Sequence, residues 1–171
     1  GGQPVHNEDE TLWIIYNGEI FNYLELRRQL QDQGHRFYTT SDTEVLLHLY
    51  EQEGIRCLER VNGQFAFAIW DRVKKVLFLA RDRMGIRPLH YALHDGRLLF
   101  ASEIKAIFAL GGVRRELDPR ALDQIFTFWT VLPGQTAFRD IHELPAGHYL
   151  QVSAGVVEMK KYWEIPICPQ I

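Results

Sequence analysis

Asn17 and Gly18 stand together in the stretch YNGEIFNY, Tyr16–Tyr23, directly after an apolar run. A side-chain amide beside a glycine offers two hydrogen-bond donors close together, the Asn NH2 and the Gly backbone N–H. With no Cβ on the glycine, a ligand oxygen can approach the main chain. Donors arranged in this way form an oxyanion hole. The competing reading is a turn, because Asn-Gly is the commonest two-residue hairpin connection. A hairpin needs a second strand at once, however, and a helix-like sequence follows instead.

A second candidate is Ser41–Glu44, SDTE. Its spacing is that of a capping box, with the Ser41 hydroxyl capping a helix and Glu44 reaching back to the Ser41 N–H. That accounts for two of the residues and leaves Asp42 free. The helix dipole favours a carboxylate in the first turn, and beside a pocket it can hold an ammonium group. The stretch LARDRMGIRPLHY reads as an ordered loop with a Gly turn and internal ion pairs. FASEIKAI reads as a strand passing into a capped helix. The seven histidines show no metal-ligand spacing, so no metal site is expected. A Gly-rich phosphate loop is absent. Neither Cys57 nor Cys168 lies in a nucleophile-like context, and Cys57 reads as a buried packing residue.

These residues need elements to position them. Leu12–Tyr16 reads as a buried strand. Asn22, with Glu25 three residues on, predicts a helix carrying Leu24, Leu26 and Leu30 and stopped by Gly34. HRFYTT predicts a short strand. SDTEVLLHLYEQEG predicts a helix with Val45, Leu46, Leu49 and Tyr50 on its apolar face and Gly54 as its stop. In GQFAFAIWD, Phe65, Phe67 and Ile69 alternate with Ala66, Ala68 and Trp70, so both faces of that strand are buried. KVLFLARD follows after a tight turn at Arg72–Lys75. LHYALHDGRLLFASE predicts a hairpin turning at Asp95-Gly96. Helices are expected at Glu103–Leu110 and from Asp118-Pro119 to about Phe128. A last hairpin is centred on Ser153–Gly155. Antiparallel strands buried on both faces call for two sheets between two helical layers, or for one sheet between helices.

With 171 residues the chain is long enough for one domain with a substantial core. A net charge of −3 and a pI of about 6.2 ask for neither nucleic acid nor an anionic membrane as partner. No apolar run approaches the ~20 residues of a membrane helix. Two distant cysteines make no disulfide framework, and the first residues lack a signal-peptide pattern; both point to the cytoplasm. Both ends read as loops and suggest cuts in a longer protein.

In order, YNGEIFNYLELRRQL, SDTEVLLHLY, VNGQFAFAIWD, LFLARDRMGIRPLHY and LLFASEIKAI resemble the glutaminase domain of class II glutamine amidotransferases. The stretch from LDPRALDQIF through VLPGQTAFRDIHELPAGHYL to KKYW is similar to the asparagine synthetase branch. The resemblance covers nearly the whole chain. It implies an α+β fold, the four-layer α/β/β/α sandwich of N-terminal-nucleophile hydrolases, over residues 1–171 and incomplete at the N-terminus.

The chemistry it implies is attack of an N-terminal cysteine on the side-chain amide of glutamine, with that cysteine's α-amino group as base. Asn17 and Gly18 would form the oxyanion hole, and Glu19 and Asp42 would help hold glutamine. The family begins Met-Cys-Gly where this chain begins Gly1-Gly2-Gln3-Pro4, so the nucleophile is absent and the chain alone is expected to be inactive. No cofactor is expected in this domain. ATP and Mg²⁺ belong to a downstream synthetase domain, its partner in a parent chain, which would amidate aspartate or a related carboxylate. Unpaired sheet edges predict self-association, hence a homo-oligomer. The rival reading is a non-catalytic remnant that binds a small ligand or a protein.

Overall fold

The computed structural model describes residues 2–166. Cys168 lies outside them. Six strands form the main antiparallel sheet in the order β1-β2-β3-β4-β8-β9. They are β1 (Val5–His6), β2 (Leu12–Ile20), β3 (Gly63–Asp71), β4 (Val76–Arg81), β8 (His148–Ser153) and β9 (Val156–Lys161). The second sheet has three strands in the order β6-β5-β7: β5 (His90–His94), β6 (Arg97–Ala101) and β7 (His142–Glu143).

The alternation in β3 explains the layering. Phe65, Phe67 and Ile69 pack toward helices α1 (Tyr23–Asp32) and α2 (Asp42–Glu53), in a core shared with Leu26, Leu30, Leu46 and Leu49. Ala66 and Ala68 face the other way, against Leu89, Leu144 and Phe100, and fill the gap between the sheets. On the outer side of the second sheet, Ala92 and Ile141 pack against Ile107 of α4 (Ile104–Ala109). Helix, sheet, sheet and helix therefore stack in four layers, as the resemblance implied. A single sheet between helices is ruled out by the separate strand ladders of the two sheets. Each fully buried Phe or Leu of the helix-facing core contributes roughly 1.5–3 kcal/mol.

Turn and cap chemistry follows the sequence in several places. Asp95 and Gly96 take positive φ values of 49° and 71°, as a type I′ hairpin requires. Helix α5 (Pro119–Phe128) starts with Pro after Asp118, whose side chain accepts the Arg120 N–H at 2.9 Å. The last hairpin joins β8 to β9 through Ala154 and Gly155.

Elsewhere side chains redirect the backbone. HRFYTT forms no strand. The Arg36 N–H donates to Glu8, and the N–H groups of Tyr38 and Thr39 donate to the buried Glu44 carboxylate. Glu44 is thereby taken out of the capping box: Ser41 caps Thr43, but the Ser41 N–H goes to Thr39 Oγ1 instead. Asn22 likewise makes no cap bond. Its amide ties the start of α1 to Arg60 and Asn62, between α3 (Cys57–Arg60) and β3.

The 81–88 loop is ordered by side-chain to backbone bonds rather than internal ion pairs. Buried Arg81 donates to the carbonyls of Gly85, Arg87 and Leu144 and pairs with Glu143 at 2.9 Å. Buried Asp82 accepts N–H groups from Phe65, Met84, Ile86 and Arg87.

Candidate active site

Strand β2 continues through Asn17 and Gly18 to Ile20, so the pair is neither a turn nor a strand end. Its register with β3 is unbroken, with Asn17 opposite Ala66, Gly18 opposite Phe65 and Glu19 opposite Gln64. A Cβ on Gly18 would lie 2.7 Å from Phe65 Cα and closer still to the Gln64 carbonyl oxygen. Gly63 repeats this from the opposite strand, 2.9 Å from Ile20 Cα. The two strands thus cross too closely here for any side chain on either glycine. That packing demand adds a second reason for the glycine beyond ligand approach.

On its other side β2 is paired over only part of its length among the described residues. Strand β1 pairs only with Trp13 and Ile14. At Tyr16, the Gln3 side chain takes the place of a strand: its Nε2 donates to the Tyr16 carbonyl at 2.8 Å and its Oε1 accepts the Tyr16 N–H at 2.7 Å. At Ile20, the N–H donates to Asp42 Oδ2 at 2.9 Å. In an antiparallel ladder, alternate residues present both backbone groups to the same edge. Gly18 falls between Tyr16 and Ile20 in that series, so its N–H points to this edge, bracketed by Gln3 and Asp42.

Asn17 and Glu19 share the opposite phase and project toward the second sheet. The Asn17 amide donates to Ser102 Oγ at 3.3 Å, just past the end of β6. A cavity of ≈ 210 Å³ opens there, lined by Gln3, Asn17, Ala66, Leu89 and Ser102 among others. Glu19 is exposed beside it. Ser102 was read only as part of a strand-to-helix passage; no spacing rule links residues 85 positions apart.

Asp42 reaches the same strand from the helical layer, as the first residue of α2. It is not free. Oδ2 accepts both the Ile20 N–H and the Tyr16 hydroxyl, each at 2.9 Å, which among the described residues leaves Oδ1 with only Ser41 Oγ at 3.4 Å. Burial, then the charge and hydrogen bond of Asp42, push the Tyr16 phenol far above its ordinary pKa, so Tyr16 stays a donor. Cys57 sits in the helix-facing core with no exposure. Burial pushes its thiol up, the opposite of what a nucleophile needs. Arg87 lies close enough for its charge to act on Tyr16, and its Nε is buried without a hydrogen-bond partner among the described residues.

Over residues 1–163 the chain matches the family model of the glutamine amidotransferase domain. It belongs to that family. Among curated proteins it is 41% identical over 168 residues to asparagine synthetase [glutamine-hydrolyzing] 3 of Bacillus subtilis, covering 96% of this chain and 27% of that protein. It is 36% identical over 167 residues to the amidase chyE of Penicillium rubens, covering 96% of this chain and 24% of that protein. The chain thus spans about a quarter of the length of these relatives. Among solved structures, the glutamine phosphoribosylpyrophosphate amidotransferase of B. subtilis superposes with a TM-score of 0.68 at 25% identity, over 94% of this chain and 32% of that one. The class II glutamine amidotransferase domain, with its N-terminal-nucleophile hydrolase fold and its asparagine synthetase relatives, is therefore the family and fold of this chain. No helix among the described residues is long and apolar enough to cross a membrane.

Proposed function

We propose that this chain is the glutaminase unit of an asparagine synthetase-like enzyme. It binds glutamine at the edge of β2 and directs the ammonia released to ATP- and Mg²⁺-dependent amidation of aspartate, or of a related carboxylate, in a synthetase unit of the parent chain. One observation carries the reading: Asn17 lines a cavity between the sheets, and the strand phase turns the N–H of the adjacent Gly18 to the neighbouring edge of β2.

In this mechanism a cysteine thiol preceding Gly1 in the parent protein attacks the glutamine side-chain carbonyl. Negative charge builds on the carbonyl oxygen and is met by the two donors. The amide nitrogen takes a proton and leaves as ammonia, and water then cleaves the thioester to glutamate. Buried Cys57 cannot replace that thiol. Glu19, exposed beside the corner, and Asp42, through its less occupied Oδ1, would hold the substrate ammonium. The amidase relative is a reason to leave the acceptor as a class rather than as aspartate alone.

The test is Asn17→Ala in the parent enzyme, assayed with glutamine and with ammonia as nitrogen source. Loss of one oxyanion donor lowers glutamine-dependent turnover by roughly 10²–10³-fold. Ammonia-dependent turnover stays unchanged, since it bypasses this site. Equal losses with both sources would refute the oxyanion role and favour the binding-module reading.

A further inference from the structure

Away from the glutamine corner, three separate segments bring four metal-type ligands together. We propose that Glu8, His35, His48 and Glu51 bind a single divalent transition-metal ion of the zinc class. Glu8 lies in the β1–β2 connection and His35 follows α1. His48 and Glu51 lie one turn apart on α2. Because the ligands come from three segments, no sequence spacing reveals them, and the expectation of no metal site rested on spacing alone.

One donor atom from each residue lies within 4.8 Å of all the others. His48 Nδ1 is 3.1 Å from Glu51 Oε2 and 3.5 Å from Glu8 Oε2. His35 Nδ1 is 3.7 Å from Glu51 Oε2 and 3.9 Å from Glu8 Oε1. A tetrahedron with metal–ligand bonds of ~2.0–2.1 Å has edges of about 3.3–3.4 Å. The observed separations straddle that value. Only the shortest is a hydrogen bond, so the other three are contacts that protons do not bridge and a central cation would.

The surrounding groups fit the same reading. A metal-bound imidazole directs its second ring nitrogen at an acceptor, which fixes the tautomer. His35 Nε2 faces Gln52 Oε1 at 3.2 Å. His48 Nε2 faces Glu44 Oε1 at 3.7 Å and has no hydrogen-bond partner. The Gln52 contact suits a His35 with its Nδ1 lone pair turned inward, whereas His48 Nδ1 hydrogen-bonds Glu51 and gives up its proton when an ion binds. Glu51 Oε1 is held by the Asn7 amide, which leaves its Oε2 for the ion, while Glu8 offers Oε2 toward His48 and Oε1, which also accepts the Arg36 N–H, toward His35. Side-chain exposure rises from 0% at His48 to 12% at His35, 31% at Glu51 and 37% at Glu8, so the site opens to solvent on its carboxylate side. Two imidazoles with two carboxylates neutralise a divalent charge and suit zinc or cobalt better than magnesium or calcium.

Calorimetric titration of the EDTA-treated protein with Zn²⁺, and absorption spectroscopy with Co²⁺, test this. We expect one equivalent of Zn²⁺ to bind and raise the Tm, and Co²⁺ to give the intense visible absorption of a tetrahedral N/O site. Glu51→Gln and His35→Gln, both at the rim, should abolish stoichiometric binding and the Tm rise while leaving a cooperative unfolding transition. Gln52→Ala should weaken binding about 10–100-fold through the outer shell alone. The proposal is overturned if no saturable single-equivalent binding is seen, or if Glu51→Gln and His35→Gln bind as tightly as the parent sequence. Glutaminase activity plays no part in these readouts.

Discussion

Asp42 has a structural duty and, in the proposed function, a substrate contact, and a single substitution can separate the two. Its Oδ2 holds the Ile20 N–H and the buried Tyr16 hydroxyl, and the proposed substrate contact falls to Oδ1. Asp42→Asn can keep an acceptor oxygen at the Oδ2 position for both donors, but it loses the charge that strengthens those bonds and places an NH2 where Oδ1 stood. We expect a stability loss of about 1–3 kcal/mol, read from the urea midpoint. If the carboxylate also faces the substrate ammonium, the glutamine KM of the parent enzyme rises with little change in ammonia-driven turnover. A lower midpoint with an unchanged KM would confine Asp42 to structure. The sequence marked this acid because the capping box left it over. It could not show the Tyr16 hydroxyl and Ile20 N–H waiting for it from a strand 22 residues upstream.

Among the elements, those built from local rules were legible and those built from distant side chains were not. β3 was readable because its Phe and Ala alternation states both neighbours at once. The Asp118 cap and the Asp95-Gly96 turn follow from rules within four residues. β1 and β7 are two residues each, too short for any period. The HRFYTT segment has strand composition, but carboxylates capture its N–H groups first. The sequence predicts one apolar face for α2, yet every residue from Thr43 to Leu49 is buried, because α1, β1 and β2 surround it. Glu44 is the keystone of that region. Glu44→Ala removes the acceptor of the Tyr38 and Thr39 N–H groups and the Thr39 hydroxyl. Bonds to a charged group are worth ~1.5–3 kcal/mol each, so we expect a destabilisation of about 3 kcal/mol or more. Amide hydrogen exchange at Tyr38 and Thr39 should accelerate beyond the global change, whereas loss spread evenly over the chain would contradict a local tether.

For the molecule as a whole, the question is what its open surfaces meet. The β9 edge carries Glu158, Lys160 and Lys161, with Lys160 paired to Glu158 at 2.8 Å, and such charges discourage strand addition. The end of α5 behaves differently: Phe126 is 84% and Trp129 92% exposed. Large aromatic side chains this exposed are candidates for an intermolecular contact. Self-association was anticipated from unpaired strand edges; the exposed aromatics now offer a second route. Phe126→Ser with Trp129→Ser should leave the Tm within a few degrees, since neither side chain is packed. The same pair should lower any concentration-dependent association seen by sedimentation velocity. Association unaffected by the pair would return attention to the β2 edge.

That edge has a particular economy. A carboxamide is the smallest group that can offer a strand both its missing donor and its missing acceptor. With one carboxamide, Gln3 supplies both partners to Tyr16. A strand residue pairing with Gly18 in the same way would engage the Gly18 N–H. The oxyanion role proposed for Gly18 therefore requires this rung to stay unpaired, so regular pairing along the whole border would gain sheet bonds at the cost of the ligand donor.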